Sequence, residues 1–260
     1  MSGGEPVVSV VMPTYNGEAF LDESIISVQR QSFKNWELLI IDDCSHDTTV
    51  KIAQEIAAQD PRIVMLRNET NCGPLVSRNS AMRHARGRFI AFLDQDDVWM
   101  PNKLELQTNM MLDNNYGVTF TGWRRMAADG TRQGRLINAP KVYAYKDLHR
   151  NTGVALSSCM IDTTIVGAPR FADTRPYTEY EFYESMFSLG IIAHGLQADL
   201  LRYRVGSGAM SYNKFRMAAM VWNNLRNKAK MPFFYAAQCF CLYAVRATLR
   251  VVDSMSQPRN

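Results

Sequence analysis

Strand and helix patterns alternate through the first hundred residues, and this alternation restricts the fold classes that the chain can adopt. Short runs of apolar and β-branched residues favour buried strands, and the longer stretches between them carry apolar residues at helical spacing. The predicted strands are 7–12, 36–41, 62–67 and 88–93, and the predicted helices between them are 18–31, 48–59 and 75–85. This order predicts an α/β domain with a mainly parallel sheet and helices on both faces.

Polar residues collect where these predicted strands end. The carboxyl ends of parallel strands share one edge of a sheet, and ligands bind at that edge. The sequence therefore predicts a binding site built from several strand ends at once. The residues concerned are Thr14, Asn16, Asp42, Asp43, Asn68, Asn71, Asp94, Asp96 and Asp97.

The strand predicted at 88–93 runs directly into three carboxylates, Asp94, Asp96 and Asp97. Ionised carboxylates this close repel one another unless a cation lies among them. An Asp-x-Asp at the end of a buried strand therefore indicates a site for Mg²⁺ or Mn²⁺, and for a diphosphate bound to the metal. The alternative is an acidic loop tip.

The pattern becomes less regular after residue 100. It predicts helices at 102–112 and 179–189, strands at 117–123, 157–161 and 200–205, and a hairpin turn at Asp129-Gly130. Residues 132–151 combine basic and aromatic side chains without a clear period, which favours a mobile substrate loop.

Charge is distributed unevenly along the chain. The net charge is +4, but residues 200–260 hold ten Lys or Arg against one acid, and residues 1–199 hold 19 basic and 24 acidic residues. The basic segment is also rich in aromatic residues and methionine, which favours an anionic membrane surface over nucleic acid as its partner.

The apolar run 232–249 is of borderline length for a membrane span, so a packed helix, a helix lying on lipid and a span all remain open. The predicted apolar stripe of this helix is Phe233, Ala237, Phe240, Ala244 and Ala247.

Taken in order, these motifs resemble the family 2 inverting glycosyltransferases of bacterial surface-polysaccharide synthesis. The matching segments are 8–16, 41–48, Asn71-x-Gly73, Arg78-Asn79-x-Ala81 and 85–97, and a looser match continues through Phe171-x-Asp173 and Tyr203-Arg204. The resemblance implies a nucleotide-diphospho-sugar transferase (GT-A) domain at 1–212, with a nucleotide-binding half at 1–100 and an acceptor half at 101–212. Residues 213–260 would then form a basic, amphipathic helical extension.

The resemblance also implies an activity. The chain would transfer a hexosyl group from a UDP-sugar to a hydroxyl of a lipid-linked polysaccharide or O-antigen intermediate, with Mn²⁺ or Mg²⁺ as cofactor. It would work at the cytoplasmic face of the bacterial plasma membrane. The alternative is a catalytically degenerate subunit that binds a sugar nucleotide and acts through a partner.

Site residues follow from the matched positions. Asp43 would recognise the uracil, Asp94 would lie near the ribose, Asp96 would bind the metal, and Asp97 would lie in or beside its coordination shell. For Asp43 and Asp97 the alternative is a cap of the next helix, and for Arg78 it is a solvated helix face. The nucleotide-sugar residues implied are Pro13, Thr14, Tyr15, Asp42, Asp43, Asn71, Gly73, Arg78, Asp94 and Gln95.

The base that deprotonates the acceptor is implied by one further motif. The family places an acidic pair before two spaced aromatic residues, and the alignment of Tyr180 and Tyr183 with these puts Glu179 at the base. Thr178 replaces the first acid of the pair. The alternatives are Glu181 and Glu184, which lie about 200° and about 140° from Glu179 around a helix.

Overall fold

A computed structural model of the protein describes residues 5–148, 154–172, 179–206, 214–228 and 231–255. Within these residues, ten strands form one mixed sheet in the order β3-β2-β1-β4-β9-β6-β10-β5, with β7 beside β6 and β8 beside β10. The strands are β1 (Val8–Thr14), β2 (Trp36–Asp42), β3 (Ile63–Arg67), β4 (Phe89–Phe92), β5 (Val98–Trp99), β6 (Val118–Ala127), β7 (Gln133–Ile137), β8 (Val142–Tyr143), β9 (Met160–Asp162) and β10 (Ala193–Val205).

The helices fill the connections between strands. They are α1 (Leu21–Gln29), α2 (Thr49–Ala57), α3 (Pro74–Met82), α4 (Lys103–Asn114), α5 (Tyr145–Leu148), α6 (Thr163–Val166), α7 (Tyr180–Phe187), α8 (Lys214–Asn223) and α9 (Phe233–Met255). Pro74 opens α3, a position where its missing N–H has no helical partner to lose. Asp47 accepts hydrogen bonds from the backbone N–H and hydroxyl of Thr49 at the start of α2.

The first four strands form the predicted parallel sheet. β1 lies between β2 and β4, both parallel to it, and β3 extends the sheet beyond β2. β1, β2 and β4 are buried along their whole length, as strands covered on both faces must be. The other half is mixed: β9 runs antiparallel to β4 and β6, while β6 and β10 run parallel.

Two hydrophobic cores cover the two faces of the sheet. Successive residues of β1 alternate between them: Val10 and Met12 pack with α1, α2 and α4, and Val11 packs with α3 and α7. The prediction of helices on both faces is therefore confirmed.

The prediction of a mobile loop at 132–151 is wrong over most of residues 132–148, and residues 149–151 lie outside the described part of the chain. Residues 133–137 form β7, which completes a hairpin with β6 through the Asp129-Gly130 turn. Residues 142–143 pair with β10 as β8, and α5 follows. β7, β8 and α5 are too short for a strand or helix periodicity to be recognised in the sequence. β7 and β8 are held by pairing with the long strands β6 and β10.

The C-terminal helices form a small cluster of their own. Ala236 and Cys239 of α9 pack against Leu225 and Met231, and α9 also contacts β7. The predicted apolar stripe is only partly packed: Phe240 joins this cluster, Ala237 is half-buried, Phe233 and Ala244 are exposed, and the side chain of Ala247 lies outside the described residues. The exposed large apolar residues of α9 are Phe233, Phe234, Leu242 and Val245. In the part of the chain that the structure describes, none of the helices combines the length and apolarity needed to cross a bilayer.

Candidate nucleotide-sugar site

The ends of β1, β2 and β4 meet at one edge of the sheet, as predicted. Thr14 is paired with Asp42 in the register of β1 and β2, and β4 lies on the other side of β1. The loops after these strands therefore bring together side chains about 30 and 80 residues apart in sequence.

Asp43 organises the loop that follows β3. Its carboxylate accepts hydrogen bonds from Asn68 Nδ2 (2.8 Å) and from the backbone N–H groups of Cys72 (2.9 Å) and Gly73 (2.7 Å). Asn71 Nδ2 donates to the Asp43 carbonyl at 3.2 Å. Gly73 adopts φ 87°, a conformation that favours glycine. None of these bonds reaches α2, so Asp43 does not cap that helix.

A cleft of about 560 Å³ lies beside this loop, lined by Cys44, Arg67, Asn68 and Glu69. Asp42 supports its wall from inside the protein. The Asp42 carboxylate pairs with Arg67 Nε at 3.2 Å and accepts from the N–H of Ser45, and its Oδ1 is buried without a partner. The cleft gives this edge of the sheet room for a nucleoside.

Gln95, in the loop after β4, bonds to the loop after β1. Its Oε1 accepts from the Thr14 hydroxyl (2.5 Å) and the Tyr15 N–H (2.8 Å), and its Nε2 donates to the Tyr15 carbonyl. A Cβ at Gly17 would lie 2.4 Å from Gln95 Oε1, so this close approach favours glycine. Contacts of Pro13, Thr14, Tyr15 and Gln95 with the sugar nucleotide stay predictions. In the structure, Gln95 holds the loop after β1 in place.

The acidic loop 94–97 is anchored from three directions. The N–H of Asp94 donates to Ser157 Oγ at 3.1 Å, and the hydroxyl of Ser24 donates to the carbonyls of Gln95 and Asp97 at 2.7 Å each. Asp97 Oδ1 accepts from the backbone N–H of Arg204 at 2.9 Å. Asp97 therefore bonds to β10 and does not cap α4, which begins at Lys103.

Burial and neighbouring carboxylates disfavour ionisation of Asp96 and Asp97. Burial and the neighbouring Asp94 raise the pKa of Asp96 to about 6. Burial, Asp96 and Asp94 raise the pKa of Asp97 well above its ordinary value. Among the described residues, no three His, Cys, Asp or Glu side chains are already grouped as a metal site.

The donors nevertheless fit a hard divalent cation. Asp97 Oδ2 is buried without a hydrogen-bond partner, and Asp96 is a desolvated carboxylate next to it. Mg²⁺-type sites typically use one or two carboxylates and complete their shell with substrate phosphates and water. Asp96 and Asp97 match that donor set.

Arg78 lies inside the site, so the predicted alternative of a solvated helix face is wrong. Its side chain is 5% exposed, it forms an ion pair with Asp94, and its guanidinium carbon lies 5.6 Å from the Phe171 ring centroid. Burial opposes the charge of Arg78, but Asp94 and Glu179 outweigh it and raise the pKa, so the cation is retained. The sequence did not show that Arg78 and Asp94 are partners.

Glu179 lies close to this pair. It occupies the N-cap position of α7, yet its side chain makes no capping hydrogen bond. Burial raises the pKa of Glu179, Arg78 opposes that rise, and Asp94 adds to it. The rival Glu184 instead accepts from the hydroxyls of Tyr145 and Tyr180, both at 3.4 Å. Asp173 and Thr178 lie outside the described residues.

The fold and the arrangement of polar groups at this edge fit a glycosyltransferase, and the comparisons with known proteins agree. The model of glycosyl transferase family 2 matches residues 9–164. TuaG of Bacillus subtilis, named for a glycosyltransferase role in teichuronic acid biosynthesis, is 36% identical over 95% of this chain and 98% of its own. The Escherichia coli glucosyltransferase WfgD is 35% identical over 87% of this chain and 88% of its own. The chain belongs to glycosyl transferase family 2.

Solved structures show the same fold. S. aureus TarS 1–349 in complex with UDP-GlcNAc has a TM-score of 0.66 at 18% identity, covering 90% of this chain and 70% of that one. The Pyrobaculum calidifontis mannosyltransferase PcManGT, in complex with GDP-Man and Mn²⁺, has a TM-score of 0.67 at 14% identity, covering 98% and 77%. The predicted GT-A fold is confirmed.

Proposed function

We propose that this glycosyltransferase moves a hexosyl group from a UDP-sugar to a hydroxyl of a lipid-linked intermediate in bacterial surface-polysaccharide synthesis, with inversion. The main support is the grouping, at one sheet edge, of the cleft beside Asp43, the acidic loop 94–97 and Glu179. Two relatives support the substrate class. WfgD is named for transfer from UDP-Glc to GlcNAc-diphosphoundecaprenol, and TuaG for teichuronic acid synthesis.

The donor would lie along the strand ends. The cleft takes the nucleoside, and Asp43, whose carboxylate accepts three hydrogen bonds, keeps acceptor capacity for a base N–H. The diphosphate then reaches the acidic loop. Asp96 and Asp97 would hold Mn²⁺ or Mg²⁺, which when bound supplies positive charge to the leaving diphosphate.

Glu179 would act as the general base. The acceptor hydroxyl oxygen forms a bond to the anomeric carbon, its proton passes to the Glu179 carboxylate, and the bond from that carbon to UDP breaks with its electrons on UDP. The guanidinium of Arg78 favours the ionised form of Glu179 that this step requires. Attack opposite the leaving group inverts the anomeric configuration.

The C-terminal helices would hold the enzyme at the inner face of the plasma membrane. Residues 213–260 carry eight basic residues and one acid. Phe234, 87% exposed, and Val245, 58% exposed, lie on α9 away from its packed face. Apolar side chains on a basic helix favour binding to anionic lipid.

A screen of UDP- and GDP-sugars for thermal stabilisation, with and without Mn²⁺, tests the donor and the metal. A ligand that binds the folded state raises its melting temperature. We expect Mn²⁺-dependent stabilisation by a UDP-sugar, its loss in Asp96→Ala, and its retention in Glu55→Ala, a control at an exposed acid on α2. Lack of Mn²⁺-dependent stabilisation in the wild type, or its retention in Asp96→Ala, would contradict the metal assignment. Hydrolysis of the UDP-sugar without acceptor distinguishes an enzyme from a subunit that only binds.

A further inference from the structure

Arg204, at the end of β10, bonds to the acidic loop through both its backbone and its side chain. The side chain is 3% exposed. The backbone N–H donates to Asp97 Oδ1 at 2.9 Å, and Nε donates to the Asp96 carbonyl at 2.8 Å. One residue therefore bonds both to a carboxylate and to the backbone of the loop that carries the metal candidates.

The same guanidinium reaches two other elements. One terminal nitrogen donates to the Ala128 carbonyl, in the turn between β6 and β7, at 2.6 Å, and the other pairs with the Glu23 carboxylate on α1. The guanidinium carbon lies 4.4 Å from the Phe20 ring centroid. Because a guanidinium is planar and its N–H groups are fixed in direction, these acceptors determine one orientation of Arg204.

The acidic loop needs such an anchor before any ligand arrives. Asp94, Asp96 and Asp97 repel one another, and burial adds to the cost of their charges. Arg204 fixes the Asp96 carbonyl and one oxygen of Asp97, and this leaves Asp97 Oδ2 without a hydrogen-bond partner. The guanidinium of Arg204 therefore supports the loop from the protein interior, while Asp97 Oδ2 remains available to bind a metal cation.

We propose that Arg204 is a positioning residue for sugar transfer, which keeps the acidic loop in its cation-binding shape in the empty enzyme. This inference rests on the proposed function, because it assigns the loop to the metal and the diphosphate. Arg204 itself needs no contact with the donor or the acceptor. Its effect reaches the reaction through the backbone of Asp96 and the carboxylate of Asp97.

Arg204→Lys tests this with the charge retained. Its single ammonium cannot reach the Asp96 carbonyl, the Ala128 carbonyl and Glu23 together, while the backbone bond to Asp97 is unaffected. Arg202→Lys is the matched control, since Arg202 lies on the same strand but pairs with Asp199.

The first measurement is amide hydrogen exchange in the full-length protein without metal or nucleotide. We expect exchange in a peptide covering 94–99 to accelerate by about 10-fold or more in Arg204→Lys, with β1 unchanged and both regions unchanged in Arg202→Lys. Unchanged exchange at 94–99, or equal acceleration in β1, would overturn the proposal. If Arg204→Lys does not fold, Glu23→Gln removes the negative charge that pairs with the guanidinium, and the same two results decide.

The second measurement is UDP affinity as a function of Mn²⁺. The half-saturating Mn²⁺ concentration should rise roughly 10- to 100-fold in Arg204→Lys, the usual effect of losing a partner that orients metal ligands. Affinity without metal should match the wild type. A wild type with no Mn²⁺ response would refute the metal part of the proposed function, whereas a normal wild type with an unchanged Arg204→Lys would refute the role of Arg204.

Discussion

Replacement of Asp43 by asparagine tests two roles of this carboxylate separately: the observed role of holding the loop after β3, and the proposed role of recognising the nucleotide base. The side chain keeps its shape, but one acceptor oxygen becomes an NH₂ donor. In the structure both oxygens are used: Oδ1 accepts from Asn68 and Cys72, and Oδ2 accepts from Gly73. A position at a strand end would not by itself make folding depend on Asp43, but its three hydrogen bonds hold the loop after β3.

The magnitude follows from these contacts. The amide introduced by Asp43→Asn has two orientations, and the better one keeps its oxygen towards Asn68 and Cys72. Its NH₂ group then faces the Gly73 N–H, which loses its acceptor at a cost of about 1–3 kcal/mol. The two remaining bonds change from charge-assisted to neutral and weaken by about 1 kcal/mol each. Asp43→Asn should therefore lower the free energy of unfolding by about 3–5 kcal/mol. UDP affinity should also fall, because the amide cannot replace the carboxylate towards a base N–H.

Urea denaturation, with and without UDP, measures both effects in one titration series. Asp60→Asn is the matched control. Asp60 lies at the amino end of β3, on the opposite edge of the sheet, and its carboxylate also accepts several hydrogen bonds, from the N–H, Nε and terminal nitrogen of Arg62. This variant should lose stability without any change in UDP affinity.

Two results would refute the reasoning. A free energy of unfolding within about 0.5 kcal/mol of the wild type, the usual range for a surface substitution, would show that the loop does not depend on Asp43. A clear loss of stability with normal UDP affinity would show that Asp43 only holds the loop, and the recognition of the base would have to be reassigned.

Three further predictions concern the base, a buried lysine and the tail. Glu179→Gln should lower transfer by about 10²- to 10⁴-fold with UDP-sugar affinity unchanged, whereas Glu184→Gln should be mild; the reverse pattern in a transfer assay would reassign the base. Burial lowers the pKa of Lys103 from 10.5 to about 7, so the unfolded state binds more protons at this group between these values. Lys103 should therefore contribute a rise in stability with pH of about 1.4 kcal/mol per unit. Lys103→Met should flatten that slope in urea titrations from about pH 7 to about pH 10, and an equal slope in both proteins would contradict it. In liposome flotation the protein should prefer anionic vesicles and detach as salt is added. Phe234→Ser should bind the vesicles less, whereas Val142→Ser, at an exposed site on β8, should bind as the wild type does. Equal binding to neutral and anionic vesicles would refute the electrostatic part.

The first hundred residues could be predicted from the sequence because their signals are local. Continuous apolar runs mark the strands β1, β2 and β4, and helical spacing marks α1 and α2, so the predicted and observed elements overlap closely. The second half could not be predicted to the same extent. Periodicity identifies a strand but not its partner, and it gave no sign that β9 would run antiparallel between β4 and β6.

The same limit applies to the site. The residue types at the strand ends indicated a site for a cation and a diphosphate, and the family resemblance implied a sugar nucleotide. The structure brings Asp94 and Glu179 to one region. Their partners could not be read from the sequence. Nothing in the composition shows that Arg78 pairs with Asp94, or that Arg204 bonds to Asp97 from 107 positions away.

Many of the polar groups at this edge bond to the protein itself, and this arrangement has a physical reason. Asp42 holds Arg67, Gln95 holds the loop after β1, and Asp94 holds Arg78. Loops fixed in this way need little rearrangement when a charged donor arrives, so the electrostatic interactions of the site are available at once. Asp97 Oδ2 and the Glu179 carboxylate are not used to hold a loop in this way: among the described residues Asp97 Oδ2 has no hydrogen-bond partner, and the Glu179 side chain makes no capping bond to α7. A substitution at a group that holds a loop should therefore act through geometry, whereas one at Asp97 or Glu179 should act on the chemistry itself.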